Sequence, residues 1–173
     1  MTKALVVIDV QKAMFADPAL PPYEGEAVVA RIRKLIERAR EAGVRVFFVQ
    51  HQGEGDDPLQ PGLPGFPFHD ALAPRPDDDV TVKRRSSAFH DTDLDAKLRQ
   101  AGVDHLVVTG MQSEFCVDSA VRGAVERGYA VTLVADAHST FDSRVAKAAV
   151  IVAIQNDTLR GFGTVKKAEE VLF

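Results

Sequence analysis

Asp9, Lys83 and Cys116 stand far apart in the chain, and together they are the residue types that a covalent hydrolysis needs. Cys116 is the only cysteine, so an intramolecular disulfide is ruled out. It stands where the apolar run Leu106-Val107-Val108 passes through Gly110-Met111-Gln112-Ser113-Glu114-Phe115 into a helical pattern. At a helix start, the free amides and the positive end of the dipole favour a thiolate, the form that attacks carbon. An ordinary thiol has a pKa of about 8.5, which leaves only a small thiolate fraction at neutral pH. An ammonium about 4 Å from the sulfur is worth roughly 4 kcal/mol at an effective dielectric of about 20. After desolvation, that is expected to lower the thiol pKa by about one or two. A carboxylate beside the pair takes the thiol proton and returns it to a leaving amine. Backbone amides near Gln112 and Cys116 are candidates to hold the developing oxyanion. Ser113 is expected to cap the helix through the Phe115 amide, leaving the Cys116 amide free.

Such a set has to be carried by a regular frame. Short β-rich runs alternate with helical stretches along the chain. Strands are expected at Ala4–Ile8, Val44–Val49, Val80–Val82, Leu106–Val108 and Ala130–Val134, with a short last one at Thr164-Val165. Helices are expected from Glu26 to Ala42, Leu94 to Ala101, Phe115 to Arg127 and Arg144 to Ile154, with a closing helical turn from Lys167 to Leu172. In the first helix Val28, Val29, Ile32, Leu35, Ile36 and Ala39 share one stripe. Gly43, Gly102 and Gly128 each follow a helix as stops. Steady alternation of strand and helix implies right-handed crossovers and an α/β fold, a mostly parallel sheet with helices on both faces. In such sheets ligands bind at the carboxyl ends of the strands. Asp9, Lys83 and Cys116 all fall on that rim.

The segment from Gly53 to Pro76 breaks the rhythm. It holds six prolines and is expected to be an ordered loop that walls a pocket or meets a partner. No repeat or low-complexity tract divides the chain, so residues 1–173 are read as one domain. Its apolar fraction of 46% and charged fraction of 27% are globular values. The net charge of −4, with no basic cluster beyond Lys83-Arg84-Arg85, argues against nucleic acid. No apolar run reaches the roughly 18 residues of a membrane span. Met1-Thr2-Lys3 shows no signal-peptide pattern, and an unpaired cysteine fits the reducing cytoplasm.

Other polar residues have plainer readings. Asp9 is no Walker-B acid, since no G-x-x-x-x-G-K-[ST] loop is present. Gln11 either orders Asp9 or serves its own turn, and the first is preferred. Of the histidines only His51 is kept as a substrate-binding candidate, and His105 lies at the wrong end of the sheet. Phe15, Phe89, Phe115 and Phe141 are candidates to wall a small apolar pocket, against a default role as core or loop anchors. Asp136 is read as a brace. Gly161-x-Gly163 lacks the third glycine of a dinucleotide loop.

The order and spacing of four stretches resemble one family. They are Leu5-Val6-Val7-Ile8-Asp9-Val10-Gln11, Lys83-Arg84-Arg85-Ser86-Ser87-Ala88-Phe89, Gly110-Met111-Gln112-Ser113-Glu114-Phe115-Cys116-Val117-Asp118-Ser119-Ala120 and Asp136-Ala137. Over nearly its whole length the chain resembles the isochorismatase-like cysteine hydrolases, which include nicotinamidases, N-carbamoylsarcosine amidases and ureidoacrylate amidohydrolases. The resemblance implies a three-layer α/β/α, Rossmann-like fold with six strands in the order 3-2-1-4-5-6. It implies Asp9 as general acid/base, Lys83 as cation and Cys116 as nucleophile. It also implies a cis peptide between Met111 and Gln112 that turns the Gln112 amide toward the oxyanion. Homo-oligomers, dimers or larger, are implied by analogy alone. In two places the chain departs from its relatives. The Asp-x-His metal set of nicotinamidases is broken, since Val49 precedes Gln50-His51, so neither a metal nor another cofactor is expected. A histidine pair common in relatives is replaced near Gln155-Asn156.

The reading that follows is a cysteine-dependent hydrolase that cleaves a C–N bond of a small amide or N-carbamoyl compound through a thioester. The alternatives are isochorismatase-type vinyl-ether hydrolysis and a non-catalytic small-molecule-binding or scaffold protein on the same fold.

Overall fold

A computed structural model describes residues 1–72 and 74–173. Six strands form one sheet in the order β3-β2-β1-β4-β5-β6. They are β1 (Lys3–Ile8), β2 (Arg45–His51), β3 (Asp79–Lys83), β4 (His105–Met111), β5 (Ala130–Ser139) and β6 (Thr164–Lys166). Each neighbouring pair of these strands runs parallel, so the sheet is wholly rather than mostly parallel.

The alternation of side chains explains why both faces are covered. Leu5 and Val7 on β1 face α1 (Gly25–Glu41), whose stripe Val28, Val29, Ile32, Leu35, Ile36 and Ala39 is buried against them. Ala4, Val6 and Ile8 face the opposite way. There Leu94 and Leu98 of α2 (Leu94–Gln100) and Ala120, Val121 and Ala124 of α3 (Asp118–Glu126) close the second core. A strand buried on both sides reads as an unbroken apolar run, which is what β1 shows.

Four elements differ from expectation. β5 does not end at Val134 but continues to Ser139. Its pairing with β4 slips after Val108 and resumes with Gly110 opposite His138 and Met111 opposite Ser139. The helix expected from Phe115 begins only at Asp118. Before it, residues 113–117 form a wider turn in which the Val117 amide donates to the Gln112 carbonyl at 3.1 Å. The helix expected over Arg144–Ile154 is shifted to α4 (Ala148–Thr158). Ser143 Oγ accepts from the amides of Val145 and Ala146, and Asp142 Oδ1 accepts from Ala148, holding 142–147 as a turn. The closing turn spans Ala168–Glu170 rather than Lys167–Leu172.

The proline-rich loop is anchored rather than free. It buries Leu59, Phe68 and Leu72, and Phe68 meets Phe48 edge to face. An isolated antiparallel bridge joins Phe68 to Gln11 just beyond β1. Among the described residues, no helix is long and apolar enough to cross a membrane.

Candidate active site

Asp9, His51, Lys83 and Cys116 meet at the carboxyl rim of the sheet. Asp9 follows β1 with a left-handed backbone, φ +50°. His51 and Lys83 end β2 and β3 and stand opposite each other in register. Cys116 sits in the wide turn after β4. Gly110 lets β4 approach: its φ is +123°, and a Cβ there would overlap the Ile8 carbonyl oxygen.

Lys83 is the hub. Its side chain is fully enclosed, as is that of Asp9. Nζ donates to Cys116 Sγ at 3.2 Å, to the Arg85 carbonyl at 2.9 Å and to His51 Nδ1 at 3.0 Å. Those contacts use the ammonium's three hydrogens. Asp9 Oδ2 lies 2.7 Å from the same nitrogen, yet neither carboxylate oxygen accepts a well-directed hydrogen bond. The carboxylate is thus held by charge with its lone pairs uncommitted. Since a lysine only donates, His51 Nδ1 is the acceptor and the ring hydrogen belongs on Nε2.

Burial dominates the titration of the site. It raises Asp9 above the usual carboxylate range, against the opposing pull of Lys83. It lowers His51, and Lys83 adds to that effect, so the ring is neutral at pH 7. Burial, with the Asp9 charge beside it, pushes the Cys116 thiol up to about 12. This corrects the sequence-based expectation of a lowered thiol pKa, because desolvation of the sulfur outweighs the ammonium. Asp9, His51 and Cys116 offer ligand atoms within 4.8 Å of one another, types a soft cation takes. Lys83 touches all three and fills that place with its own positive charge.

The peptide between Met111 and Gln112 is cis. Ser113 does not cap the helix through Phe115. The Phe115 amide donates to the Gln112 carbonyl at 3.2 Å, and Ser113 Oγ is hydrogen-bonded to His138 Nδ1 at 2.8 Å. The Gln11 backbone amide donates to the Asp9 carbonyl at 2.9 Å, but its side chain does not reach the Asp9 carboxylate. Its two N–H groups go to the carbonyls of His51 and Phe66, and its oxygen accepts from the His51 amide.

The aromatic candidates are dispersed. Phe115 is exposed beside Cys116. Phe141 lines a 590 Å³ cleft with Met14, Leu20 and Tyr23. Phe15 packs edge-on against His69. Phe89 lies in the core, stacked on Tyr129 with Arg127 over its ring. Asp136 is a brace, accepting from the Ala168 amide at 2.8 Å. Sequence reasoning missed the Arg85 carbonyl on Lys83, because backbone acceptors leave no residue-type signal. It also missed the partnership of Ser113, His138 and Asn156, which needed the full length of β5 to be known.

A family profile described as the isochorismatase domain matches residues 3–168. The chain belongs to the isochorismatase family. It is 40% identical over 140 residues to a streptothricin hydrolase of Streptomyces noursei, covering 81% of this chain and 50% of that one. It is 34% identical over 174 residues to the ureidoacrylate amidohydrolase RutB of Methylobacterium radiotolerans, covering 79% of this chain and 66% of that one. The chain therefore spans about half to two-thirds of these two relatives. Among solved structures, a cysteine hydrolase from Pseudomonas syringae pv. phaseolicola superposes with a TM-score of 0.90 at 30% identity, over 98% of this chain and 90% of that one. This isochorismatase-family chain is accordingly a hydrolase, and its sheet order is the one the resemblance implied.

Proposed function

We propose that the protein hydrolyses a C–N bond of a small amide or N-carbamoyl compound through a thioester on Cys116. The observation that carries this reading is the meeting of Sγ, carboxylate and ammonium around Lys83 Nζ. A relative named amidohydrolase and a neighbour named cysteine hydrolase support the class.

At rest the thiol keeps its proton. A free thiolate at pH 7 would cost about 7 kcal/mol from a pKa of about 12. Direct transfer to Asp9 costs less, because burial has raised the proton affinity of that carboxylate as well. Sγ bonds to the substrate carbonyl carbon as its proton passes to Asp9, and Lys83 holds the charge on both. Backbone amides of the turn at Gln112 and Cys116 steady the oxyanion. The C–N bond then breaks, and the leaving nitrogen takes the proton from Asp9. Water next loses a proton to Asp9 and attacks the thioester; the acid is released, and Asp9 returns the proton to sulfur. The full chain acts as one hydrolase unit, and no step requires a cofactor.

The test is a screen of small amides and N-carbamoyl compounds for released ammonia, with Cys116→Ala beside the native chain. Turnover lost in a folded Cys116→Ala supports the thioester; turnover retained overturns it. Pyruvate released from isochorismate by both proteins would assign vinyl-ether hydrolysis instead. A homo-oligomer is part of the same reading: α4 leaves Val150 and Ile154 half exposed, and Phe115 is exposed beside the site. Gel filtration at the mass of one chain would remove that part.

A further inference from the structure

A second chain of polar side chains ends on the reactive turn from its inner side. Ser113 and His138 are buried, at 0% and 1% exposure. Ser113 Oγ lies 2.8 Å from His138 Nδ1, and His138 Nε2 lies 3.0 Å from Asn156 Oδ1 on α4. Asn156 Nδ2 donates to the Ala135 carbonyl at 3.0 Å, which fixes the amide with its oxygen toward the ring. An amide oxygen only accepts, so the ring hydrogen sits on Nε2. Nδ1 is then an acceptor, and the Ser113 hydroxyl donates to it.

Serine, histidine and asparagine in this order have the connectivity of a hydrolytic triad. Burial decides against that role, since no substrate carbonyl reaches an oxygen with 0% exposure. What Ser113 does touch is the turn itself. It directly follows Gln112, whose carbonyl receives the amides of Phe115 and Val117. We propose that His138, with its hydrogen held on Nε2 by Asn156, is a positioning residue that pins Ser113 and thereby the Gln112–Cys116 turn. The inference rests on the thioester reading for its catalytic consequence and on hydrogen-bond geometry for its existence.

A protonated His138 donates from Nδ1 to Ser113 Oγ instead of accepting from it, so acid reverses this hydrogen bond and turns the Ser113 hydroxyl away from the ring. A crevice of 230 Å³ between α1, β5 and α4 gives protons a route to the ring that does not pass the thiol. Its charged groups are Glu24, Arg31 and Asp136, and Arg31 joins the two acids at 3.0 and 3.7 Å. On the turn, Glu114 is engaged by Thr140 Oγ1 at 2.9 Å. Burial lowers the pKa of His138, opposed by Asn156 and Asp136, so the ring is neutral at pH 7.

The experiment has two arms. Nitrogen NMR of histidine-labelled protein at pH 7, assigned by loss of signal in His138→Gln, is expected to show the hydrogen on Nε2. A hydrogen on Nδ1, or on both nitrogens, overturns the proposal, and this arm needs no turnover. In the second arm Asn156→Asp puts a carboxylate of nearly the same shape on Nε2. The acid limb of kcat is expected to move up by about one pH unit, with KM within about twofold. Ser113→Ala is expected to lower kcat about tenfold, less than the roughly hundredfold loss of an oxyanion donor. A kcat profile of folded Asn156→Asp that superposes on the native one overturns the proposal, as does an unchanged kcat in Ser113→Ala. Failure of the thioester reading is seen separately, as turnover by Cys116→Ala.

Discussion

The side-chain amide of Gln11 takes both backbone groups of His51, donating to its carbonyl at 3.0 Å and accepting from its amide at 2.9 Å. The exchange copies a hydrogen-bonded pair of antiparallel strands, with a side chain standing in for one backbone. The second Nε2 hydrogen goes to the Phe66 carbonyl at 2.7 Å. A single residue with 0% exposure thus ties the loop after β1 to the end of β2 and to the proline-rich loop.

Gln11→Leu should therefore cost stability and loosen the site together. It strands the amide and carbonyl of His51, while the Phe66 carbonyl keeps Gln50 Nε2 at 2.8 Å. Orphaned buried groups cost about 1–3 kcal/mol each, so a total of roughly 3 kcal/mol is expected in denaturant titrations. Hydrogen exchange at the His51 amide should speed up well before global unfolding. Gln11→Glu keeps one acceptor and loses both donors, so it should be no better.

Lys83→Met leaves Asp9 enclosed without its counter-charge. Loss of about 3–5 kcal/mol is expected, as for other broken buried pairs. The double variant Asp9→Asn/Lys83→Met removes both charges and should regain most of that. The pH slope follows from the raised Asp9 pKa. Its ionised form burdens the fold, so the stability it allows is full below about 3.8 and is lost as pH rises through the folded value. The stability of the double variant relative to the native protein should thus rise from acid toward neutral pH. A flat difference in urea midpoints would contradict the direction assigned to Asp9.

Alkylation separates the two roles proposed for Asp9 and Cys116. Beyond burial, the Asp9 charge raises the Cys116 pKa, whereas Lys83 lowers it. Asp9→Asn should bring the thiol down, so iodoacetamide at pH 8 should modify it about tenfold faster than in the native protein. Hydrolysis should fall by about a hundredfold or more, because no group remains to carry the proton. Slower alkylation in the variant would mean that Asp9 deprotonates the thiol even without substrate.

The apolar runs and the helix stripe were legible because burial on one or both faces leaves a periodic trace in residue type. β1 and α1 lie within a residue or so of their expected spans for that reason. The far end of β5 was not legible. Asp136 and His138 look like loop residues until the Ala168 amide, Asn156 and Ser113 are seen to satisfy them. At the site, Asp9, Lys83 and Cys116 could be placed on one rim by strand ends alone. The protonation of Cys116 could not, because it depends on how much water is excluded, and that follows from packing on every side rather than from any one residue.

Two glycines with left-handed backbones isolate what the site asks of the sheet. Gly43 has φ +70° and nothing within 4 Å of a would-be Cβ, so Gly43→Ala meets only backbone strain, about 1 kcal/mol. Gly110 has φ +123°, and its Cβ would enter the backbone of Ile8, from the amide to the carbonyl. Ile8 is its partner in the β1–β4 register and directly precedes Asp9. Rigid backbone on both sides cannot yield as a side-chain tip would, so Gly110→Ala should cost at least about 3 kcal/mol. Any folded fraction must part the ends of β1 and β4, moving Asp9 away from Cys116, so kcat should fall further than stability alone accounts for. Thermal melts of both variants beside kcat measured well below their transitions decide this. A Gly110→Ala protein with native turnover would show that the close approach of these strands is not what brings the carboxylate to the sulfur.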